Sequence, residues 1–512
     1  MSFLRSVFSV SALTVVGRIT GYMRDLLMVD LIGANAISDA LVIAIKIPSF
    51  FRRIFAEGAF HVSFLPAYTH AQKSKVFAGM VLSLLICALG FGVLAIECFY
   101  GPLSEMLLTK MHPETLKYAQ QFGPVTFPYI FFISIVSFFG SILNAHGRFS
   151  ALAISQAIGN ITVILFVWTL AGWTTQTGLL FSWGILLSGA IQCVFIIWNC
   201  WKKGLLIALQ WPQWTPDIKR FLKRFFPGLL SVSAVQINAL IVPLYFAGRL
   251  PVGSLSYLQY ADRLNQLPLS IIGIALSSVL LPMIAEKIKE NDGDGANAML
   301  SQALQFAWIV TIPFLILLSC CAHPLVTTLF GNSKLNIAQL GAISDTVMIY
   351  ALGIPAYIFI KIFNARFFAA RDTITPLIGG VVSAVTDVAL ALIFVSQMGH
   401  LAIALAASLS SWLNALFLIY RLIARDRWVF TRSLKIFYAK TALAGLLSAA
   451  AVLLVRTGIG PFETFVWWVK ILYIGVLLGT CGATFILVLW QLRIFSWASI
   501  QKTILSFGKK TP

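Results

Sequence analysis

The feature that most restricts how this chain can fold is a succession of apolar runs, each about 20 residues long or more, enough to cross a bilayer as a helix. About fourteen such runs occur, near residues 7–31, 39–68, 77–99, 124–145, 152–172, 179–201, 226–248, 262–284, 303–323, 344–367, 376–397, 401–422, 437–456 and 467–490. With 59% hydrophobic and 11% charged residues, the chain has too little polar surface for a soluble globule of 512 residues. The sequence therefore predicts an all-α, polytopic membrane protein.

Basic residues are distributed unevenly between alternate loops. If the N-terminus is cytoplasmic, the outer loops hold only Lys110, Lys117, Arg249, Lys334, Arg456 and Lys470. Most of the others fall in the inner loops, among them Lys73, Lys75, Lys202, Lys203, Lys219, Arg220, Arg366, Arg371 and Arg425. The positive-inside rule then predicts that both termini are cytoplasmic. Because the net charge of +19 is spread over short loops, a nucleic-acid partner is not expected.

Charges and prolines interrupt two of the runs. In the second run they are Asp39, Lys46, Pro48, Arg52, Arg53 and Glu57, and in the eighth they are Asp262, Arg263, Pro268 and Pro282. Broken helices persist in a membrane only where the freed backbone lines protein or water. Both helices are therefore predicted to be broken and to border a cavity.

Five arginines lie inside runs that are otherwise apolar: Arg18, Arg24, Arg52, Arg53 and Arg263. A cation at bilayer depth costs about 2.5–3.5 kcal/mol, so it usually faces a wet cavity. A guanidinium group binds carboxylate or phosphate through two parallel hydrogen bonds, which predicts an anionic cargo. Asp25, Asp39 and Glu57 are the acidic neighbours, and Arg53 and Glu57 have the spacing of a helical ion pair. The alternative interpretation is a buried ion-pair network that only fixes helix packing.

A weak internal repeat suggests duplicated halves. Leu143-Asn144-Ala145, followed by Arg148-Phe149, is echoed by Phe363-Asn364-Ala365 and Arg366-Phe367. Chance similarity between apolar helices is the alternative. The repeat predicts two pseudo-symmetric six-helix lobes, residues 1–205 and 226–424, around a central cavity. A cytoplasmic amphipathic linker, 206–225, would join them, and residues 425–512 would add two helices and a basic cytoplasmic tail.

Sequence motifs for enzymes and metals are weak. The chain has no H-E-x-x-H, G-x-S-x-G or G-x-x-x-x-G-K motif, and its seven cysteines lack metal-site spacing. A membrane enzyme acting on polyprenyl-phosphates is nevertheless an alternative class. Its only acidic candidates are Glu286, Glu290, Asp292 and Asp294, which more simply form a solvated turn with Lys287 and Lys289.

One run is specific enough to indicate a family. Arg52-Arg53-Ile54-Phe55-Ala56-Glu57-Gly58-Ala59-Phe60, together with Gly33 to Pro48, closely resembles the MurJ (MviN) family of lipid II flippases. This family belongs to the multidrug/oligosaccharidyl-lipid/polysaccharide exporter (MOP) superfamily. Weaker matches occur at Gly17-Arg18 to Arg24-Asp25, at Tyr260 to Leu264 and at Thr375-Pro376, so the resemblance covers essentially the whole chain.

The resemblance implies a transporter rather than an enzyme, without cofactor and acting as a monomer. It would move lipid II, the undecaprenyl-diphosphate-linked disaccharide-pentapeptide, between leaflets of the bacterial cytoplasmic membrane by alternating access, for peptidoglycan synthesis. Arg18, Arg24, Arg52 and Arg263 would engage the diphosphate, with Asp25, Asp39, Arg53 and Glu57 as supporting charges. The last two helices would form a groove for the lipid tail. Gly17 replaces the serine of many members, so no hydroxyl contact is implied there.

The sequence leaves a rival function open within the superfamily. A multidrug exporter, or an exporter of another polyprenyl-linked oligosaccharide, is that rival, although a drug exporter predicts an acidic and aromatic cavity.

A candidate cation site lies in the eleventh run. Asp387 lies at membrane depth near Ser383 and Thr386 and can bind sodium or a proton. By resemblance, Gln236 and Asn238 on the seventh helix are its possible partners.

Overall fold

The structure is a computed structural model that describes residues 2–53, 59–71, 73–108, 110–223, 225–227, 229, 245–246, 250–426, 428–458, 462 and 465–494. Within these ranges the side chains of residues 2–11, 59, 61, 62, 70, 107, 267, 270–279, 281, 282 and 426 are not described. All regular secondary structure in the described part is helical, as the sequence predicts.

Eighteen α-helices are described in full. In chain order they are α1 (Ser2–Ile32), α2 (Ala36–Phe51), α3 (Ala59–His70), α4 (Ser74–Cys98), α5 (Tyr100–Leu107), α6 (Pro113–Thr126), α7 (Tyr129–Ala145), α8 (Ser150–Leu170), α9 (Thr177–Lys202), α10 (Ser254–Lys289), α11 (Gly293–Cys320), α12 (Ala322–Phe330), α13 (Ile337–Ala351), α14 (Ile354–Ala369), α15 (Ile374–Met398), α16 (His400–Asp426), α17 (Arg432–Gly458) and α18 (Trp467–Gln491). Residues 204–229, here called the linker segment, include a helical stretch at 216–223.

Ten helical stretches among the described residues are long and apolar enough to cross a membrane. They coincide with ten of the predicted runs. Of the remaining four, the seventh run lies mostly outside the described residues, so the count of fourteen is not confirmed. The other three correspond to α1, to α2 with α3, and to α10, which are the helices that carry the intramembrane arginines.

The two runs predicted to be broken behave differently. In the second, α2 ends in a π-helical turn at Arg52 and Arg53, and a separate helix begins at Ala59. The prediction is wrong for the eighth run, because α10 is one uninterrupted helix of 36 residues. A proline removes one backbone hydrogen bond, and neighbouring helices in a membrane can compensate for that loss without a break.

The fourth and tenth runs, which carry the repeated Asn-Ala motif, each extend over two helices. The fourth is divided between α6 and α7, and the tenth between α13 and α14. Arg366 lies within α14 and is only 6% exposed. Its assignment to a cytoplasmic loop is therefore wrong, because the helix continues for three residues beyond it.

The chain folds into two compact units. Unit 1 comprises Met1–Tyr260, Ser333–Gln339 and Val388–Ile403, and unit 2 comprises Ala261–Asn332, Leu340–Asp387 and Ala404–Pro512. Helix α10 contributes its first turns to unit 1 and the rest to unit 2. The predicted lobe boundaries are a separate, sequence-based division and stay a prediction.

Unit 1 has an aromatic core that joins α3, α4, α7 and the linker segment. The rings of Phe64 and Phe138 lie 5.1 Å apart, and Phe221 of the linker segment packs against Phe64 at 6.4 Å. The linker also follows the start of α4, where the Gln210 N–H donates to the Gly79 carbonyl at 3.4 Å. A Cβ atom at Gly79 would lie 2.4 Å from the Ala208 carbonyl oxygen, so only glycine permits this approach.

Unit 2 is organised around α11, which packs against α14, α17 and α18. Its core includes Ile316, Leu477 and Phe485, and the Trp308 indole N–H donates to the Thr441 hydroxyl at 2.9 Å. A buried indole needs such a partner, so this bond fixes α17 against α11.

The loop before α15, outside the membrane-spanning segments, contains an ordered carboxylate. Asp372 accepts hydrogen bonds from the Ile374 and Thr375 N–H groups and pairs with Arg425. Burial acts to raise the pKa of Asp372, but the hydrogen bonds from Thr375 and Ile374 and the charge of Arg425 outweigh it and lower this pKa.

Candidate functional site

Arg24 is held in unit 1 by one carboxylate and one amide. Its Nε and Nη2 atoms donate to the Asp25 Oδ1 atom at 3.1 and 2.8 Å, and its Nη1 atom donates to the Asn160 Oδ1 atom at 3.3 Å. Nη1 and Nη2 each carry a second N–H that these contacts do not use. The guanidinium group is thus positioned by protein while it keeps donors for an anion.

Asn160 connects Arg24 to the backbone of its own helix. The Asn160 Nδ2 atom donates to the Gly17 carbonyl at 3.0 Å, while its Oδ1 atom accepts from Arg24. Close packing of α1 on α8 makes this possible: a Cβ atom at Gly21 would lie 3.2 Å from the Asn160 Nδ2 atom. The glycine at position 21 therefore leaves room for the amide that orients the arginine.

The face of α1 that carries these charges is more accessible toward its N-terminal half. Arg18 and Asp25 are seven residues apart and lie on nearly the same face. Along this face Arg18 is exposed, whereas Asp25 and Ile32 are buried. This face of α1 is therefore accessible to a ligand at Arg18 and buried from Asp25 onward. A ligand that approaches the charges from one end needs this arrangement.

Arg52 and Arg53 lie at the C-terminal end of α2. The Arg52 N–H donates to the Pro48 and Ser49 carbonyls, and its side chain is half-buried, whereas Arg53 is exposed. Glu57, the predicted partner of Arg53, lies outside the described residues, so that pairing stays a prediction.

Asp39 lies on α2, and its side chain contacts the start of α10. Its carboxylate is 5% exposed and accepts from the Gly253 N–H at 2.6 Å, the Ser256 N–H at 2.9 Å and the Ser256 hydroxyl at 2.7 Å. These are the free N–H groups of a helix N-terminus, which a carboxylate satisfies well. Asp39 is thus an N-cap supplied by another helix.

The backbone beside Asp39 reinforces this junction. Gly33 has a φ of +80° and Gly253 a φ of +95°, a conformation that favours glycine. The Tyr260 hydroxyl donates to the Gly33 carbonyl at 2.9 Å, and the Gln339 side chain donates to the Ala34 carbonyl at 2.8 Å. All these groups belong to unit 1, and they bind the α1–α2 turn to the first turns of α10.

The remaining predicted residues belong to unit 2 or lie outside the described part. Arg263 is half-buried on α10, beside Asp262, whose carboxylate accepts a hydrogen bond from Gln266. Asp387 is 8% exposed on α15. The Ser383 hydroxyl, one turn earlier, donates to the Ser410 carbonyl at 3.2 Å, which joins α15 to α16. Gln236 and Asn238 are outside the described residues.

Three polar residues at membrane depth escaped the sequence reasoning. Asn160 orients Arg24, Lys361 on α14 donates to the Leu269 carbonyl at 3.5 Å, and Arg366 is buried on the same helix. A search for any polar or basic residue within the apolar runs, rather than for interrupted runs alone, would have found all three.

Proteins of known structure share this fold. The chain has the fold of a multidrug resistance MATE family transporter of the MOP superfamily, solved in inward-facing and outward-facing conformations. The TM-scores are 0.60 and 0.59 at 16% and 15% identity, over 84% and 82% of this chain and 97% and 95% of those chains.

Closer similarity identifies the family. Residues 28–472 match the family model described as Lipid II flippase MurJ. A "Probable lipid II flippase MurJ" of Vibrio cholerae is 30% identical over 465 residues, or 88% of each chain. A structure titled "Lipid II flippase MurJ, inward closed conformation" has a TM-score of 0.77 and 26% identity, and the match covers 93% of this chain and 98% of that one. The chain belongs to the MurJ family of lipid II flippases, so it is a multi-pass inner-membrane transporter and not an enzyme.

Proposed function

We propose that this chain moves lipid II from the inner to the outer leaflet of the cytoplasmic membrane, for peptidoglycan synthesis. Arg18, Arg24, Arg52 and Arg263 bind the diphosphate during this movement. The observation that carries the proposal is the state of Arg24, which is oriented by Asp25 and Asn160 yet keeps unused N–H donors. Family membership supports lipid II as the substrate, and the contacts of Arg24 support this residue as a binding group.

The ion pair at Arg24 gives the binding step a simple chemistry. Both donors from Nε and Nη2 go to a single oxygen of Asp25. A diphosphate presents several oxygens and more negative charge, so it can accept from the unused donors and compete with Asp25 for the others. Departure of the ligand lets Asp25 pair with the arginine again. The pair therefore avoids an uncompensated buried cation between transport cycles.

Alternating access is the movement that we propose for this step. MATE transporters of the same fold have been solved in inward-facing and outward-facing conformations, and the MurJ structure described above is inward closed. We also propose that the chain acts as a monomer with both termini in the cytoplasm, as the loop charges predict. The lipid tail is proposed to lie along α17 and α18. Their outward surfaces are rich in exposed leucines, such as Leu446, Leu454 and Leu472.

Coupling to a cation is a further part of the proposal. Asp387 is a buried carboxylate at membrane depth, and we propose that it binds the coupling ion, sodium or a proton. If a proton is the ion, Asp387→Asn abolishes the dependence of transport on a pH gradient. If sodium is the ion, the same substitution abolishes the dependence on a sodium gradient.

The test replaces arginines in a strain depleted of its own flippase. The readouts are growth and the accessibility of lipid II to a reagent added outside the cell. We expect Arg24→Ala to stop outward movement and Arg24→Lys to keep part of it, since lysine supplies charge without the guanidinium fork. Arg148→Ala, at an exposed position after α7, is the matched control and should support normal growth. Normal transport by Ala variants at all four arginine positions would refute the proposal.

A further inference from the structure

Unit 1 contains an apolar cavity that the transport proposal does not use. Its volume is about 600 Å³, within the range of small-molecule sites, and it lies between α4, the end of α2, the start of α7 and the linker segment. Phe51 and Ile130 line it on one side, and Phe225 and Leu229 line it on another. None of the arginines assigned to the cargo borders it.

Helix α4 supplies the longest wall of this cavity. Val81, Leu85, Ala88, Gly92 and Ile96 recur at helical spacing and all line it. From Val81 to Ile96 this wall is about 22 Å long, at about 1.5 Å per residue. The site is therefore a long, narrow groove parallel to a helix that can span the membrane.

The side chains that line the groove indicate which kind of molecule can bind there. Gln213 is the only lining residue with an amide side chain, and the rest are hydrocarbon, aromatic or proline. Water needs two to four polar partners in a cavity and finds too few here. Because the groove lies at bilayer depth, the abundant molecule of matching chemistry is a lipid chain.

The end of the groove at the linker segment is basic. Ile218, Phe221 and Leu222 face the cavity, while Lys219, Arg220 and Lys223 on the same helical stretch are exposed. Within the described part of the chain, Lys219 and Arg220 form no ion pair. Clusters of exposed cations next to a membrane attract anionic headgroups.

Aromatic side chains place this end of the groove at the membrane surface. Trp211 and Trp214 of the linker segment are 87% and 76% exposed, and Trp214 also borders the cavity. Tryptophan is enriched at the level of lipid headgroups. The groove thus begins where a phosphate lies and continues into the hydrocarbon region.

We propose that this groove binds one acyl chain of an anionic phospholipid, whose phosphate contacts Lys219, Arg220 and Lys223. One leaflet of hydrocarbon is about 15 Å thick, half of the bilayer core, so a phospholipid chain fits within the groove. An undecaprenyl chain is several times longer and would leave most of its length outside. The bound lipid holds the linker segment against α4 and does not depend on which cargo is transported.

The test measures lipid retention by purified, delipidated protein. The protein is incubated with equal amounts of palmitoyl-oleoyl phosphatidylglycerol and phosphatidylcholine, excess lipid is removed, and bound lipids are counted by native mass spectrometry. We expect one retained phosphatidylglycerol per chain, enriched over phosphatidylcholine by roughly fivefold for each cation engaged. Equal retention of the two lipids by the wild-type protein would overturn the proposal.

Two pairs of variants locate the binding. Ala88→Trp fills the groove and should abolish retention, whereas Leu94→Trp, on the same helix at a 67% exposed position, should leave it unchanged. The triple variant Lys219→Gln/Arg220→Gln/Lys223→Gln should remove the preference for phosphatidylglycerol. Arg432→Gln/Lys435→Gln, at exposed positions of α17, should keep it. Unchanged retention in Ala88→Trp would refute the site.

Misfolding of the Ala88→Trp variant and binding of the carrier lipid are two results that the experiment must distinguish. If Ala88→Trp is not monodisperse in size-exclusion chromatography, the exposed charge variants still decide the question, because they do not alter packing. Displacement of phosphatidylglycerol by an equal amount of undecaprenyl phosphate would refute the choice of occupant and assign the groove to the carrier lipid. Because the readout is binding, its result is independent of whether the arginine variants transport lipid II.

Discussion

The junction at Asp39 allows a quantitative prediction for the substitution Asp39→Ala. Alanine removes an acceptor that three donors share, the N–H groups of Gly253 and Ser256 and the Ser256 hydroxyl. Loss of an N-cap side chain alone costs about 0.5–2 kcal/mol. For the same contacts counted one by one, each buried N–H left without a partner costs about 1–3 kcal/mol, less where water can enter. We therefore expect a loss of about 3 kcal/mol in the free energy of unfolding.

Chemical unfolding in one fixed detergent is the suitable assay, with tryptophan fluorescence as the signal. A loss of about 3 kcal/mol corresponds to a change of more than about 100-fold in the unfolding equilibrium constant. Asp30→Ala removes an exposed carboxylate from α1 and should change stability by less than about 0.5 kcal/mol. Asp39→Asn keeps one acceptor oxygen and should fall between the two. If Asp39→Ala were as stable as Asp30→Ala, the capping role would be refuted.

Three further predictions follow from contacts described above. Gly79→Leu should destabilise the protein by about 1–3 kcal/mol, because its side chain meets the linker backbone; Gly90→Leu, with open space around it, is the control in the same unfolding assay. Asn160→Leu should leave Arg24 poorly oriented and reduce lipid II outward movement in the depletion strain, and normal movement would contradict the positioning role. The lowered pKa of Asp372 means that its stabilising contacts are present above its unfolded pKa of about 3.9 and are lost as pH falls through the lower folded pKa. Thermal unfolding between about pH 5 and pH 3 should therefore be less pH-dependent in Asp372→Asn than in the wild-type protein.

Helix positions were largely predictable from the sequence because the bilayer imposes a length and a composition on every span. Ten predicted runs coincide with span-capable helices in the described part. The continuity of α10 was not predictable, because the effect of Pro268 and Pro282 depends on which neighbours compensate the lost hydrogen bonds. The position of Arg366 inside a helix was also not predicted. The repeated motif is followed by a turn at Arg148 in the first copy, whereas the helix continues through Arg366 in the second.

The candidate site was predictable in its residue types but not in its contacts. The energetic cost of a charge at membrane depth predicts a functional role for Arg24, and its neighbour Asp25 is the nearest acidic partner in the sequence. The amide of Asn160 comes from a helix 136 residues later in the chain, and no local pattern indicates it. Asp39 was predicted as a supporting charge of the site, which stays a prediction. Its contacts with the start of a helix more than 200 positions away could not be predicted from the sequence.

The hydrogen bond from Asn160 to the Gly17 carbonyl has an electrical consequence. It helps to hold α1 in register with α8, which favours one depth of the Arg24 guanidinium group in the membrane field. While Arg24 is paired with Asp25 on the same helix, the two charges cancel and the transmembrane voltage exerts almost no net force on them. Each unit charge that crosses the membrane changes the energy by about 2.3 kcal/mol per 100 mV. For the Arg24–Asp25 pair, voltage is therefore expected to act mainly while an anionic headgroup has separated the two partners; the charge of Arg18 on the same helix is not part of this cancellation.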